Sequence, residues 1–158
     1  MIAPVLMVAL AVFGVIKPNF TGTWVMDKAR SFNNPAGLEQ TMIVKQDGDT
    51  ISIDATLVMT QGERKVTETW KLNNTAEEFT PPAQQGAPTD ARGKRTAYWL
   101  AGDRGAIMNE EIAAGGKTLS QTQRKWTLLP DGKTLIVDYF IDGPRGSYEA
   151  KRVFQKKD

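Results

Sequence analysis

From Thr21 to Gln155, apolar and polar residues alternate in short runs, and Asp-Gly, Gly-Gly and Pro-Asp-Gly clusters interrupt them. Alternation at period two places successive side chains on opposite faces of a strand. The runs Thr21–Met26, Gln40–Gln46, Thr50–Met59 and Lys65–Leu72 are read as strands, as are Arg95–Ala101, Ala106–Ala113, Thr118–Leu129, Thr134–Ile141 and Ser147–Gln155. Asp47-Gly48-Asp49 and Gln61-Gly62-Glu63 join the earlier runs, and Gly102–Gly105, Gly115-Gly116, Pro130–Gly132 and Asp142–Pro144 the later ones. Asp-Gly between two alternating runs is a strong hairpin signal. Links this short leave no room for a parallel crossover, and no stretch carries sustained 3.6-residue periodicity.

The pattern therefore predicts an all-β domain, an antiparallel up-and-down meander of about eight to ten strands. Closing such a sheet into a barrel removes both exposed edges, which favours a barrel over a sandwich. Two stretches are read as irregular. Residues 28–38 contain Asn33-Asn34-Pro35 and are expected to form a long loop, with room for one helical turn. Residues 80–93, with Pro81-Pro82 and Pro88, are expected to form a second loop.

The segment Ile2–Ile16 differs from everything after it, because it carries no charge and ends at Lys17-Pro18-Asn19. As a helix it would reach about 22 Å at 1.5 Å per residue, short of a bilayer core of roughly 30 Å. Its length suits the apolar region of a secretory signal, with small residues near Gly14. Residues 1–15 are accordingly expected to be a signal peptide and 16–158 the barrel. The chain is then secreted or periplasmic, without a stable membrane span once the signal is removed.

Composition narrows the chemistry. There is no cysteine and no histidine, so thiol nucleophiles, Ser-His-Asp triads, disulfides and ordinary zinc or haem ligation are excluded. No cofactor and no metal site is called for. The 20 basic and 18 acidic residues, net +2, are spread along the chain without a concentrated basic face. That argues against a nucleic-acid partner.

Several stretches resemble one family. Phe20-Thr21-Gly22-Thr23-Trp24 resembles the Phe-x-Gly-x-Trp opening of the calycins, which comprise lipocalins and fatty-acid-binding proteins. The hairpin Thr41–Ile53 around Asp47-Gly48-Asp49 is similar to a fatty-acid-binding hairpin. Trp70-Lys71-Leu72 with Glu77-Glu78-Phe79 is similar to the next strand and turn, and Lys151–Phe154 to the closing strand. The resemblance implies a barrel that binds a small hydrophobic or amphipathic molecule. The chain departs from the family in three respects: Phe154 stands where the family has tyrosine, the helical lid has no room between Asp27 and Glu39, and the loop near Pro81 is extra.

Face parity selects candidate residues. Tyr148, Ala150, Arg152 and Phe154 share one face of the last run, and Thr122, Arg124, Trp126 and Leu128 share a face of an earlier one. An inward arginine loses hydration worth several kcal/mol unless a partner replaces it, and a carboxylate can do so with two parallel hydrogen bonds. One reading makes Arg124 and Arg152 the holders of a ligand's acid group, with Trp70, Tyr98, Trp126, Tyr139 and Phe154 around its apolar body. The other makes them internal ion pairs, with Glu68, Glu110 or Glu111 as partner. A β-barrel enzyme of isomerase, cyclase or hydrolase type is the alternative, with Glu110, Glu111 or Asp138 as its general acid or base. Adjacent Glu110 and Glu111 face opposite sides, so at most one could enter a cavity. An interaction module whose lumen is filled by side chains is the third reading.

Overall fold

The computed structural model of the chain describes residues 17–81, 88–102 and 105–158. The strands are β1 (Gly22–Phe32), β2 (Glu39–Asp47), β3 (Thr50–Met59), β4 (Gly62–Lys71) and β5 (Glu77–Phe79). They continue as β6 (Arg92–Trp99), β7 (Gly105–Ala114), β8 (Lys117–Leu128), β9 (Thr134–Gly143) and β10 (Gly146–Lys157). All belong to one 10-stranded antiparallel sheet in the order β4-β3-β2-β1-β10-β9-β8-β7-β6-β5. Every neighbour is a sequence neighbour except β1 and β10, whose pairing from Thr23↔Lys157 to Asp27↔Val153 joins the two ends of the chain.

The sheet curls until its edges approach, giving an incompletely closed barrel. Across the gap β4 and β6 share no ladder, only the Asn73↔Tyr98 bridge and the bond from Asn74 N to Ala97 O at 2.8 Å. A single bridge satisfies few of the edge groups that a full ladder would pair. No helix occurs among the described residues, and none is long and apolar enough to cross a membrane.

One end of the barrel is plugged by aromatic side chains. Phe20 and Trp24 are fully buried, and the Trp24 indole N–H donates to the Phe20 carbonyl at 2.8 Å. Phe20 meets Trp126 edge-on at 5.5 Å and stacks near Trp99 at 6.0 Å. Gln46 ties the segment leading into β1, accepting from Phe20 N and donating to Pro18 O. Gly22 sits at φ 150°, a conformation that residues other than glycine rarely adopt, while a Cβ there would meet only the flexible end of the Lys156 side chain. This explains the glycine two residues before Trp24.

Parity holds through the sheet. Trp24, Met42, Val44, Ile51, Ile53 and Trp70 face inward from the first four strands. Ala97, Met108, Trp126, Val137 and Phe154 do so from the later ones.

The structure corrects two of the irregular stretches. Residues 28–32 continue β1, and only 33–38 form the connection to β2. The register shifts between Asp27 and Phe32. The Asp27 carboxylate accepts from the N–H groups of Ala29 and Arg30, and its carbonyl accepts from Ser31 Oγ. Those local bonds absorb a bulge and interrupt the alternation that would have marked a strand. Arg92 and Gly93 likewise open β6, and the short β5 pairs with it from Glu77↔Arg95 to Phe79↔Gly93. Gly93 is required because Phe79 lies against its Cα. The segment expected to be a signal peptide and most of the Pro81–Pro88 loop lie outside the described residues.

Candidate functional site

Behind the aromatic plug the lumen keeps a cavity of about 230 Å³, so the side chains do not fill it. Its walls differ. Met42 of β2, Ile53, Ala55 and Leu57 of β3 and Val66 of β4 form an apolar side. Glu110 of β7, Thr122 and Arg124 of β8, Tyr139 of β9 and Arg152 of β10 form a polar side. Gln40, Glu68, Arg64, Trp126 and Ile141 complete the lining. A larger hollow of about 700 Å³ spreads over the strand ends from Lys94 to Glu149. It shares Glu110, Thr122 and Ile141 with the lumen cavity, and most of the rest of its lining, such as Glu111, Gln121 and Gln123, stands at outward positions.

Four charged side chains make a chain of contacts inside the barrel. Arg124 donates to Glu68 Oε2 at 2.8 Å, and the Trp70 indole N–H donates to the same oxygen at 3.0 Å. Arg95 lies 2.8 Å from Glu110 and 3.8 Å from Glu68. Both guanidiniums lie against the Trp70 ring, at 4.7 Å for Arg124 and 4.8 Å for Arg95, and Arg95 also packs on Phe79. A planar, weakly hydrated cation over an aromatic face tolerates burial better than an ammonium would. Burial pushes the Glu68 carboxyl up, but the charge and hydrogen bond of Arg124, the Trp70 N–H and the charge of Arg95 hold it below the usual carboxylate range. Burial works against the Arg124 charge as well; Glu68 outweighs it, and the guanidinium is raised above its ordinary value.

Arg152 is placed differently. It donates to Gln40 Oε1 at 2.7 Å and to Asn34 Oδ1 at 2.9 Å, reaches the Tyr139 hydroxyl at 3.4 Å, and lies 4.5 Å from that ring's centre. All of these partners are neutral. Among the described residues, Arg152 forms no ion pair. Gln40 is only 6% exposed, so this cation's partners are built into the wall and not recruited from solvent. Asn34 belongs to the β1–β2 connection, which places Arg152 near the end of the barrel opposite the plug.

The expected site residues separate into three groups. Arg124, Arg152, Trp126, Tyr139 and Glu110 line the cavity. Trp70 and Phe154 face inward but are core, at 2% and 0% exposure, with Trp70 backing the two arginines. Tyr98, Glu111 and Asp138 point away from the lumen. Tyr98 lies opposite Ile107 and bridges Asn73 across the gap, because Arg95 and Ala97 take the inward positions of β6. Glu111 accepts from Gln121 on the outer face, and Asp138 lies 3.7 Å from Lys151. Gln40, Arg95 and Arg64 were not singled out from the sequence. The alternation Gln40-Met42-Val44 carried the signal for the first, since it sets the glutamine on the face of two core residues. Trp126 Nε1 is buried without a hydrogen-bond partner. Among the described residues no group of three or more acidic side chains could hold a metal ion.

Comparison with known proteins gives structural likeness alone. No family model matches the chain, and no curated protein matches it by sequence. Among solved structures, lipid-binding protein 8 of Caenorhabditis elegans superposes with a TM-score of 0.57 at 16% identity, over 87% of this chain and 95% of that one. A fatty acid transporter, REP1-NXSQ, gives 0.52 at 14% identity, over 87% and 96%. The zebrafish ileal bile acid-binding protein, solved with cholic acid, gives 0.51 at 13% identity, over 87% and 98%. These likenesses establish the antiparallel β-barrel fold that the chain shares with these proteins.

Proposed function

We propose that this barrel binds one small amphipathic molecule, holding its acid group at Arg152 and its apolar body against Met42, Ile53, Ala55 and Leu57. The observation that carries the reading is the Arg152 guanidinium in the cavity wall, surrounded by neutral partners. Arg95 and Arg124 face Glu68 and Glu110, so these four charges cancel; Arg152 adds a positive charge without an internal anion, and the remaining arginine of the lining, Arg64, is exposed. An incoming carboxylate would meet a cation already oriented by Gln40 and Asn34, with little reorganisation to offset its gain. The solved barrels of the same fold include proteins named for lipids, fatty acids and bile acids, which favours the same class of ligand here.

Size constrains the ligand. Pockets for drug-sized molecules run from roughly 300 to 1,000 Å³, and this cavity is about 230 Å³. A short-chain acid fits that space, whereas a longer one would project from the open end. The reading includes export, on the strength of the uncharged segment Ile2–Ile16. Catalysis by Glu110 is the weaker reading because Arg95 already engages that carboxylate.

The test is native mass spectrometry of the protein from its natural source, with release of bound material on denaturation. A co-purifying organic acid of defined mass is the expected result. A co-purifying neutral lipid or an organic cation would overturn the role of Arg152.

A further inference from the structure

Apart from the exposed Arg64, two arginines reach the cavity from one wall, Arg124 on β8 and Arg152 on β10 with β9 between them. Only one of them faces an acid of the protein itself. We propose that Glu68 is the specificity residue of this barrel: it occupies Arg124 as a built-in carboxylate, so the lumen accepts one acid group and directs it to Arg152. This rests on the reading of the cavity as a binding site for an amphipathic acid, and deepens it.

The geometry supports occupation over a passing contact. Glu68 Oε2 takes both the Arg124 guanidinium at 2.8 Å and the Trp70 indole N–H at 3.0 Å, while Oε1 faces Arg95 at 3.8 Å. Both partners of the main pair are largely buried, with side-chain exposures of 14% each. Trp70, which holds the same carboxylate, is 2% exposed in the core with a guanidinium on its ring. A ligand acid that sought Arg124 would come to lie beside the Glu68 carboxylate already held there at 2.8 Å. Like charges in a low-dielectric lumen oppose this arrangement. At Arg152 the incoming acid meets no such competitor, because Gln40, Asn34 and Tyr139 present neutral oxygens.

Isothermal titration with decanoate tests this, with decan-1-ol as the uncharged control. Glu68→Gln keeps the shape but removes the competing charge, so Arg124 becomes a second anchor. Decanoate then binds roughly ten- to a hundredfold more tightly than to the parent, the effect of one added charge-assisted hydrogen bond. Decan-1-ol shows no such gain. Glu68→Gln combined with Arg124→Gln removes anchor and competitor together and returns decanoate to the parent's affinity. A folded Glu68→Gln variant that binds decanoate no better than the parent would overturn the proposal. So would a double variant with the tighter affinity, and, if the single variant does not fold, a double variant that has lost decanoate altogether. The underlying reading is judged separately by Arg152→Gln: if that variant binds decanoate as the parent does, Arg152 is not the anchor, whatever Glu68 does.

Discussion

Arg124 and Glu68 lie 56 positions apart in the chain and meet inside the barrel at 2.8 Å, from strands that do not pair with one another. Their contact crosses the lumen from β4 to β8, and Arg95 on β6, 3.8 Å from Glu68, joins it from beside the gap. The pair therefore does structural as well as selective work. Removing one partner of a buried ion pair leaves the other uncompensated, which typically costs about 3–5 kcal/mol. Glu68→Gln is expected to lower the unfolding free energy by an amount in that range, measured by urea denaturation with the slope unchanged. A loss under about 1 kcal/mol would show that solvent reaches the pair.

The same carboxylate sets an acid limit on stability. Glu68 titrates below its ordinary value of 4.5 in the folded chain because Arg124 and Arg95 favour the charged form. A depressed folded value means the unfolded state binds the proton more readily, so stability is present above the ordinary value. It is lost as the pH falls from about 4.5 through the folded value. Thermal melts between neutral and acid pH should show this loss in the parent, and Glu68→Gln should flatten it.

At the ligand anchor, charge and hydroxyl can be separated. Arg152→Gln is expected to weaken decanoate binding by roughly ten- to a hundredfold. Tyr139→Phe removes only a hydroxyl 3.4 Å from the guanidinium and keeps the ring beneath it. Its effect should stay below about fivefold, since a hydrogen bond stretched to 3.4 Å contributes about 1 kcal/mol or less even from a charged donor. A larger loss for Tyr139→Phe would mean that the hydroxyl, and not the cation, contacts the acid.

At the plugged end, Trp24→Ala removes a fully buried indole and its bond to the Phe20 carbonyl. Large aromatic truncations in cores cost about 3–5 kcal/mol, and the calorimetric midpoint should fall accordingly. Gly22→Ala should destabilise as well, because the backbone there has φ 150° and the new methyl meets the Lys156 side chain. Gly22→Ala with Lys156→Ala should recover little of that loss, since the lysine end can move aside and the backbone strain remains.

How much of this could be read from the chain follows from the range of each interaction. Alternation is local, and it placed the strand from Thr50 to Met59 and the inward faces of Trp126, Arg124, Phe154 and Arg152 in agreement with the sheet. Asp47-Gly48 marked its hairpin because Gly48 supplies the positive φ of 55° that the turn uses. Residues 28–32 escaped because Asp27 bonds to the backbone after it and bulges the strand, which breaks the period without ending the pairing. Between Tyr98 and Trp99 one ring had to face outward, and the sheet position of Arg95 and Ala97 decided that it was Tyr98.

The amino-acid sequence by itself therefore determined the meander and the presence of arginines on the inner face, since each depends on neighbours a few residues away. Which arginine is neutralised was decided only by the closed sheet. Glu68, Glu110 and Gln40 are all polar residues on inward positions, and nothing in the order of the chain ranks them as partners. Curvature brings Glu68 to Arg124 and Gln40 to Arg152. Charge pairing across a lumen depends on distance in space, which strand tilt and closure set, and not on distance along the chain.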